Sequence, residues 1–184
     1  MATKKPSSTS PLLLFGQETE RLLFRKLEEA DFDSWLRFCN DPSSLQYTLP
    51  AEHPEPEAQC RIWMDKVFYR YAHGLGGMNA LVEKQTGAFV GQCGLLVQTV
   101  DGKEELEIGY SLMPEYRGKG FATEAARQCR DFAFGNKLTQ SLISIIHVDN
   151  AASAKVAKNV GMTWEKETYY HMPVNIFRIS SADL

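Results

Sequence analysis

Between residues 104 and 136 the chain reads EELEIGYSLMPEYRGKGFATEAARQCRDFAFGN, and this stretch restricts the fold more than any other. From residue 105 to 113 two sets alternate: Leu106, Ile108, Tyr110 and Leu112 against Glu105, Glu107, Gly109, Ser111 and Met113. A period of two marks a strand whose faces meet different surroundings. Pro114 ends it, because proline has no N–H to give to a ladder. A basic turn with two glycines follows, Tyr116-Arg117-Gly118-Lys119-Gly120. Beyond it Phe121, Ala122, Ala125, Ala126, Cys129, Phe132 and Ala133 recur at three- and four-residue spacing and predict an amphipathic helix.

Strand, glycine turn and helix together make a place to hold a phosphate. The first helical turn has N–H groups without partners, and the macrodipole makes that end positive. Glycine lets the backbone approach an anion with no Cβ in the way, and Arg117 and Lys119 add mobile charge. Two familiar phosphate loops do not fit. The G-x-x-x-x-G-K-[ST] spacing is absent, and GKGFAT carries threonine where the third dinucleotide-fold glycine belongs.

The run Arg117-Gly118-Lys119-Gly120-Phe121-Ala122 resembles the Q/R-x-x-G-x-G/A signature of the GCN5-related N-acetyltransferases, with Arg117, Gly120 and Ala122 on the three specified positions. The resemblance covers roughly residues 20–180. It is nearest to the branch that acetylates N-terminal amines of ribosomal proteins, the RimJ/RimL type. That branch opens with a segment like Thr19-Glu20-Arg21-Leu22-Leu23-Phe24-Arg25 and carries a late Asn-x-x-Ser pair, here Asn150 and Ser153. The resemblance implies an α/β fold with a mixed, mostly antiparallel central sheet, a splayed parallel strand pair and flanking helices. It implies acetyl-CoA as cosubstrate, with the pyrophosphate on the backbone of Arg117, Gly118, Lys119, Gly120, Phe121 and Ala122. The pantetheine would lie against the backbone of Ile108, Tyr110 and Leu112 and touch Asn150.

Length and charge bound the alternatives. A chain of 184 residues, 43% hydrophobic, supports one well-buried core rather than two domains. We expect a tail over residues 1–18 and a single acetyltransferase domain over 19–182. Leu12 to Phe15 of the tail either pack or pair at an edge. A net charge of −3 gives no basic face for nucleic acid. No apolar run reaches the eighteen or so residues of a membrane span. The short leucine run lacks the layout of a signal peptide, so a cytoplasmic location is expected. Cys39, Cys60, Cys93 and Cys129 are scattered without metal-ligand spacing, which predicts small core residues in a reducing compartment and no metal.

Along the chain the pattern predicts a strand at 21–26, then a helix opened by acidic residues and buried through Phe32, Trp35, Leu36 and Cys39. Asn40-Asp41-Pro42 stops that helix, and a polar loop over 43–57 flanks the acceptor channel by family position. A second helix runs over 55–72 and is closed by a glycine-rich turn. Strands follow at 78–83 and 88–97, with Asp101-Gly102 as the next hairpin turn. The β-branched run 142–148 suits a strand buried on both faces, parallel to the central one across the helical crossover. Asp149 or Asn150 caps a helix with Ala152, Val156 and Val160 inward, and 162–166 and 171–179 close the sheet.

Acetyl transfer to an amine needs a base, an oxyanion donor and a fate for the thiolate. Glu107 is the candidate base, since only Gly109 and Ser111 follow it on its face; the alternative is an exposed strand glutamate like Glu105. A backbone N–H of the same strand serves the oxyanion. Many relatives have a tyrosine where this chain has Ala157, so Ser153 is the remaining candidate acid, or else merely part of a helix cap. Tyr116 either shields the phosphate turn or packs. The expected acceptor is a protein N-terminal amine. A small amine such as an aminoglycoside, polyamine or amino-acid derivative, and a non-catalytic acyl-CoA sensor, stay open, as does a monomer or homodimer.

Overall fold

The computed structural model describes residues 10–47 and 55–184. The elements are β1 (Leu22–Arg25), α1 (Phe32–Cys39), α2 (Pro42–Leu45), α3 (Pro56–His73), β2 (Gly76–Glu83), β3 (Phe89–Val100) and β4 (Lys103–Leu112). After these come α4 (Phe121–Gly135), β5 (Ser141–His147), α5 (Ala151–Asn159), β6 (Thr163–Tyr169) and β7 (Pro173–Ser180). The strands form one sheet in the order β1-β2-β3-β4-β5-β7-β6. Within it β4 and β5 are parallel, and the other neighbours are antiparallel. Three antiparallel strands therefore lead up to the central one, as the hairpin signals predict.

The β3–β4 register follows from its turn. Asp101 and Gly102 both have positive φ, 49° and 75°, the backbone of a two-residue type I′ turn. Counting back from Val100 opposite Lys103 sets Leu96 opposite Glu107, Gly94 opposite Gly109 and Gln92 opposite Ser111. Between β4 and β5, by contrast, the ladder is confined to Glu107 opposite Ile143. Beyond that point the two strands separate.

Helices cover both faces. On one, Trp35, Phe38, Cys60 and Met64 of α1 and α3 pack with Met78, Ala80 and Met113. On the other, Phe121, Ala125, Ala126, Cys129 and Ala133 of α4 pack with Leu95, Leu106, Ile108 and Leu112. The alternation along β4 is thus the division between two cores. All four cysteines are buried and free, with Cys93 Sγ and Cys129 Sγ 3.6 Å apart.

Several local expectations change. Pro42 does not simply stop α1; it starts α2, where its missing N–H is one that a first turn leaves unpaired. Asp41 caps that turn, accepting from the Ser43 N–H and from the hydroxyls of Ser43 and Ser44. Phe38 joins the buried stripe of α1, its ring stacked 4.1 Å from that of Trp35. Val156 of α5 and Val160 at its C-cap pack inward as expected, joined by Ala157, while Ala152 is exposed. Of the Leu12 to Phe15 run, expected to pack or to pair at an edge, Leu14 packs: it is fully buried, and its N–H donates to Asn79 Oδ1 at 3.1 Å. Glu52 and His53 of the expected acceptor loop lie outside the described residues.

Candidate active site

The glycine turn is built as the sequence implies. Gly118 and Gly120 have φ of 73° and 84°, a left-handed backbone that costs other residues roughly 1–2 kcal/mol. Gly120 is the N-cap of α4 and has no side chain to satisfy the first-turn N–H groups, so those donors point outward at the positive end of a fifteen-residue helix. Two residues to which the sequence reading gave no role at this turn brace this end. The Arg21 guanidinium lies 4.2 Å from the Phe121 ring centroid and donates to Lys119 O at 3.0 Å. Glu124 in the first turn accepts from Arg21 Nε at 2.7 Å, the Arg21 N–H at 2.9 Å and the Thr19 hydroxyl at 2.5 Å. Burial opposes the charge on Glu124, but these donors outweigh it and hold its carboxyl below the ordinary value.

Arg117 departs from expectation. Its charge is not mobile: Nε donates to Leu112 O at 3.1 Å, and the guanidinium reaches Ser43 Oγ at 3.0 Å, the Ser44 hydroxyl and Asp41. The side chain therefore ties the turn to α2. Lys119 lies over the Tyr116 ring, and Tyr116 packs edge-on against Phe121, so Tyr116 packs under the turn.

Where β4 leaves β5 a cleft of about 260 Å³ opens, with Glu107, Ile108, Gly109, Tyr110 and Ser111 along one side. Ser144, Ile145, Ile146 and Ser153 form the opposite side, and Trp63, Met78, Leu96 and Gln98 close it from the α3 face. Two hydrogen bonds cross the gap: Ser144 Oγ donates to Ile108 O at 2.9 Å, and the Tyr110 hydroxyl donates to Ser153 O at 2.8 Å. The fold thus brings Glu107, Ile108, Tyr110 and Ser153 together, whereas the Leu112 side chain is in the core. Asn150 caps α5, its Oδ1 accepting the Ser153 N–H at 3.0 Å, which leaves the amide nitrogen for a ligand. Ala157 is fully buried in the core.

Glu107 is not an exposed strand glutamate. Burial pushes its carboxyl above the ordinary value, against the pull of a Gln98 hydrogen bond, a backbone hydrogen bond at Ile145 and the charge of Arg70. Gln98 Nε2 donates to Glu107 Oε2 at 2.7 Å. Nor is Glu105 a free surface group, since it pairs with Arg178 Nη2 at 2.9 Å. Sequence reading missed Trp63, Met78, Leu96 and Gln98 as walls. For the two β3 residues the signal was present: register counted from the Asp101-Gly102 turn places Leu96 opposite Glu107 and Gln98 diagonal to it.

Residues 21–163 match the family described as acetyltransferase (GNAT) domain. The chain belongs to the GNAT acetyltransferase family. The uncharacterized protein YkkB of Bacillus subtilis (strain 168) is 30% identical over 166 residues, 89% of this chain and 94% of its own length. Among solved structures, an acetyltransferase from Agrobacterium tumefaciens str. C58 superposes with a TM-score of 0.75 at 24% identity, covering 98% of this chain and all of that one, 100%. Two others extend the comparison across acceptors. Mycobacterium smegmatis RimJ in complex with CoA-disulfide gives a TM-score of 0.72 at 18% identity, over 89% of this chain and 83% of that one. Vibrio cholerae spermidine N-acetyltransferase in complex with CoA and spermine gives 0.69 at 15% identity, over 90% and 98%. The mixed seven-stranded sheet, with its one parallel pair and flanking helices, is therefore that of a GNAT fold. Among the described residues no group of three or more His, Cys, Asp or Glu has metal-holding geometry, and no helix is long and apolar enough to cross a membrane.

Proposed function

We propose that this GNAT protein transfers acetyl from acetyl-CoA to the α-amine of a peptide or protein N-terminus, with Glu107 as general base. The observation that carries the reading is the charge of the cleft: Glu107 is the one carboxylate among its described lining residues. A polyamine or aminoglycoside brings several ammonium groups, and each wants an anionic partner when it is taken out of water. A peptide N-terminus brings a single amine followed by neutral amides. That amine has an ordinary pKa of roughly 7.7–8.0, against roughly 10.4 for lysine. A carboxylate raised by burial is a stronger base than an exposed one and suits such an acceptor.

The geometry supports each part of the reaction. The N-terminus of α4 offers N–H donors and braced positive charge to a pyrophosphate. The edge of β4 released by the splay offers backbone groups to the amides of a pantetheine arm, and the CoA complexes among the structural neighbours support that assignment. The amine nitrogen attacks the thioester carbonyl from the Glu107 side. Glu107 takes the proton of the amine, and a β4 N–H stabilises the oxyanion. The C–N bond forms, the C–S bond breaks, and the thiolate takes a proton. In this reading Ser153, at the start of a capped helix and on the opposite wall, donates that proton and regains one from solvent.

Release of coenzyme A from acetyl-CoA against a mixed acceptor panel tests the reading. The panel holds peptides with N-terminal Ala, Ser or Met, lysine peptides with blocked N-termini, polyamines and aminoglycosides. Turnover is expected with the free N-termini. Turnover confined to polyamines or aminoglycosides overturns the acceptor, and acetyl-CoA binding without turnover on any amine marks a sensor.

A further inference from the structure

Gln98 occupies a position that the reaction as described leaves without a task. Its side-chain oxygen receives two donors, Arg70 Nη2 at 3.0 Å and the Tyr170 hydroxyl at 3.1 Å. Its Nε2 donates to Glu107 Oε2 at 2.7 Å. A guanidinium has donors only, so the amide cannot be turned over: the oxygen must face Arg70, and the nitrogen must face Glu107. Arg70 is itself fixed, with Nη1 donating to Val97 O at 3.0 Å and Leu75 O at 3.2 Å. Three separate parts of the chain, α3, β3 and the turn before β7, thus converge on one amide.

We propose that Gln98 is a positioning residue for the base, its amide locked by Arg70 and Tyr170 so that it presents one fixed donor to the Glu107 carboxylate. The proposal rests on Glu107 acting as the base. The locked donor favours the carboxylate over the acid and turns one oxygen toward β3; the Ile145 backbone hydrogen bond takes a further lone pair, and those that remain face the incoming amine. The titratable and charged groups that face Glu107 are Arg70 from α3, Tyr170 before β7 and Tyr110 on β4. Burial raises both phenols, so they stay neutral through the working range. Arg70 is then the cation of the set: its charge acts on Glu107 directly, and its guanidinium also fixes the Gln98 amide.

The test compares wild type with Gln98→Leu, Gln98→Glu and Tyr170→Phe by two readouts. One is the carbon-13 titration of the Glu107 carboxyl, which does not require turnover. The other is the pH profile of kcat/KM for a peptide N-terminus. Gln98→Leu removes the donor, so the titration midpoint and the acidic limb move upward together, with about a tenfold loss of kcat/KM at fixed pH on that limb. Gln98→Glu sets a second carboxylate against Oε2 and moves both further. Tyr170→Phe removes one hydroxyl and leaves the Arg70 lock, so it moves both less than Gln98→Leu. This mild variant keeps the comparison readable where a Gln98 variant unfolds. Midpoints that superimpose on wild type overturn the proposal, as does an activity loss equal at every pH. Failure of the base reading looks different: Glu107→Gln then keeps wild-type turnover while the carboxyl titration still responds to Gln98.

Discussion

Glu107 stands among glycine, hydroxyl, amide and apolar groups, and its chemistry follows from that company. Burial raises its carboxyl, so the proton is held to higher pH than on an exposed glutamate. The sign follows from the proposed role: a base works deprotonated, so kcat/KM is expected to fall as pH drops through the raised value. Glu107→Gln is expected to lower kcat/KM by about 10²- to 10⁴-fold and to abolish that limb, while coenzyme A binding measured by calorimetry is retained. Gly109 sets the width of the same cleft. A Cβ there would lie 2.8 Å from Leu96 Cδ1 and 3.3 Å from Met78 Sδ. Because these are the ends of flexible side chains, they can move into the acceptor space without breaking the sheet. Gly109→Ala is therefore expected to raise KM for the acceptor more than it changes kcat, with coenzyme A affinity near wild type. Equal loss of coenzyme A affinity would move Gly109 from the acceptor to the cofactor side.

At the scale of elements, the turn and α4 form a unit whose proposed hold on a phosphate is carried by backbone. Gly120→Val forces a branched residue to φ of 84° and places a Cβ 3.4 Å from Arg21 Nη2, at the end where an anion would approach. Loss of coenzyme A binding is expected in calorimetry, with the far-ultraviolet spectrum unchanged; wild-type binding would remove the phosphate role from this turn. The unit was legible in sequence because everything it needs is local: a period of two, a proline stop, two glycines and a period near three and a half. The β3–β4 register was equally available, since a two-residue Asp-Gly turn leaves one pairing. What was not legible depends on residues far apart in the chain. Arg21 and Glu124 meet across more than a hundred positions, and Arg70, Gln98 and Tyr170 converge from three elements. Arg117 was misread for a related reason. Asn40-Asp41-Pro42 reads as a helix stop and Ser43 as the start of a loop, yet Asp41 to Ser44 fold as a capped turn whose hydroxyls hold the guanidinium.

For the whole molecule, two cores on opposite faces of one sheet hold the cleft open at the point where β4 and β5 part. A ligand seated there meets β4, β5 and α5, on the proposed reading reaches the N-terminus of α4 as well, and binds only the folded chain. Coenzyme A at a hundred times its Kd is expected to add about 2.7 kcal/mol, a rise in Tm of about 5–10 °C for a domain of this size. Scanning calorimetry checks this, and an unchanged Tm would deny the site. The central claim joins this cofactor cleft to a single-amine acceptor. Its most direct test is one peptide bearing both a free α-amine and a lysine, incubated with acetyl-CoA and enzyme and sequenced by tandem mass spectrometry. The acetyl group is expected on the α-nitrogen with wild type and almost none with Glu107→Gln. Acetyl on the lysine nitrogen, or an unmodified peptide beside rapid turnover of spermidine, would contradict it.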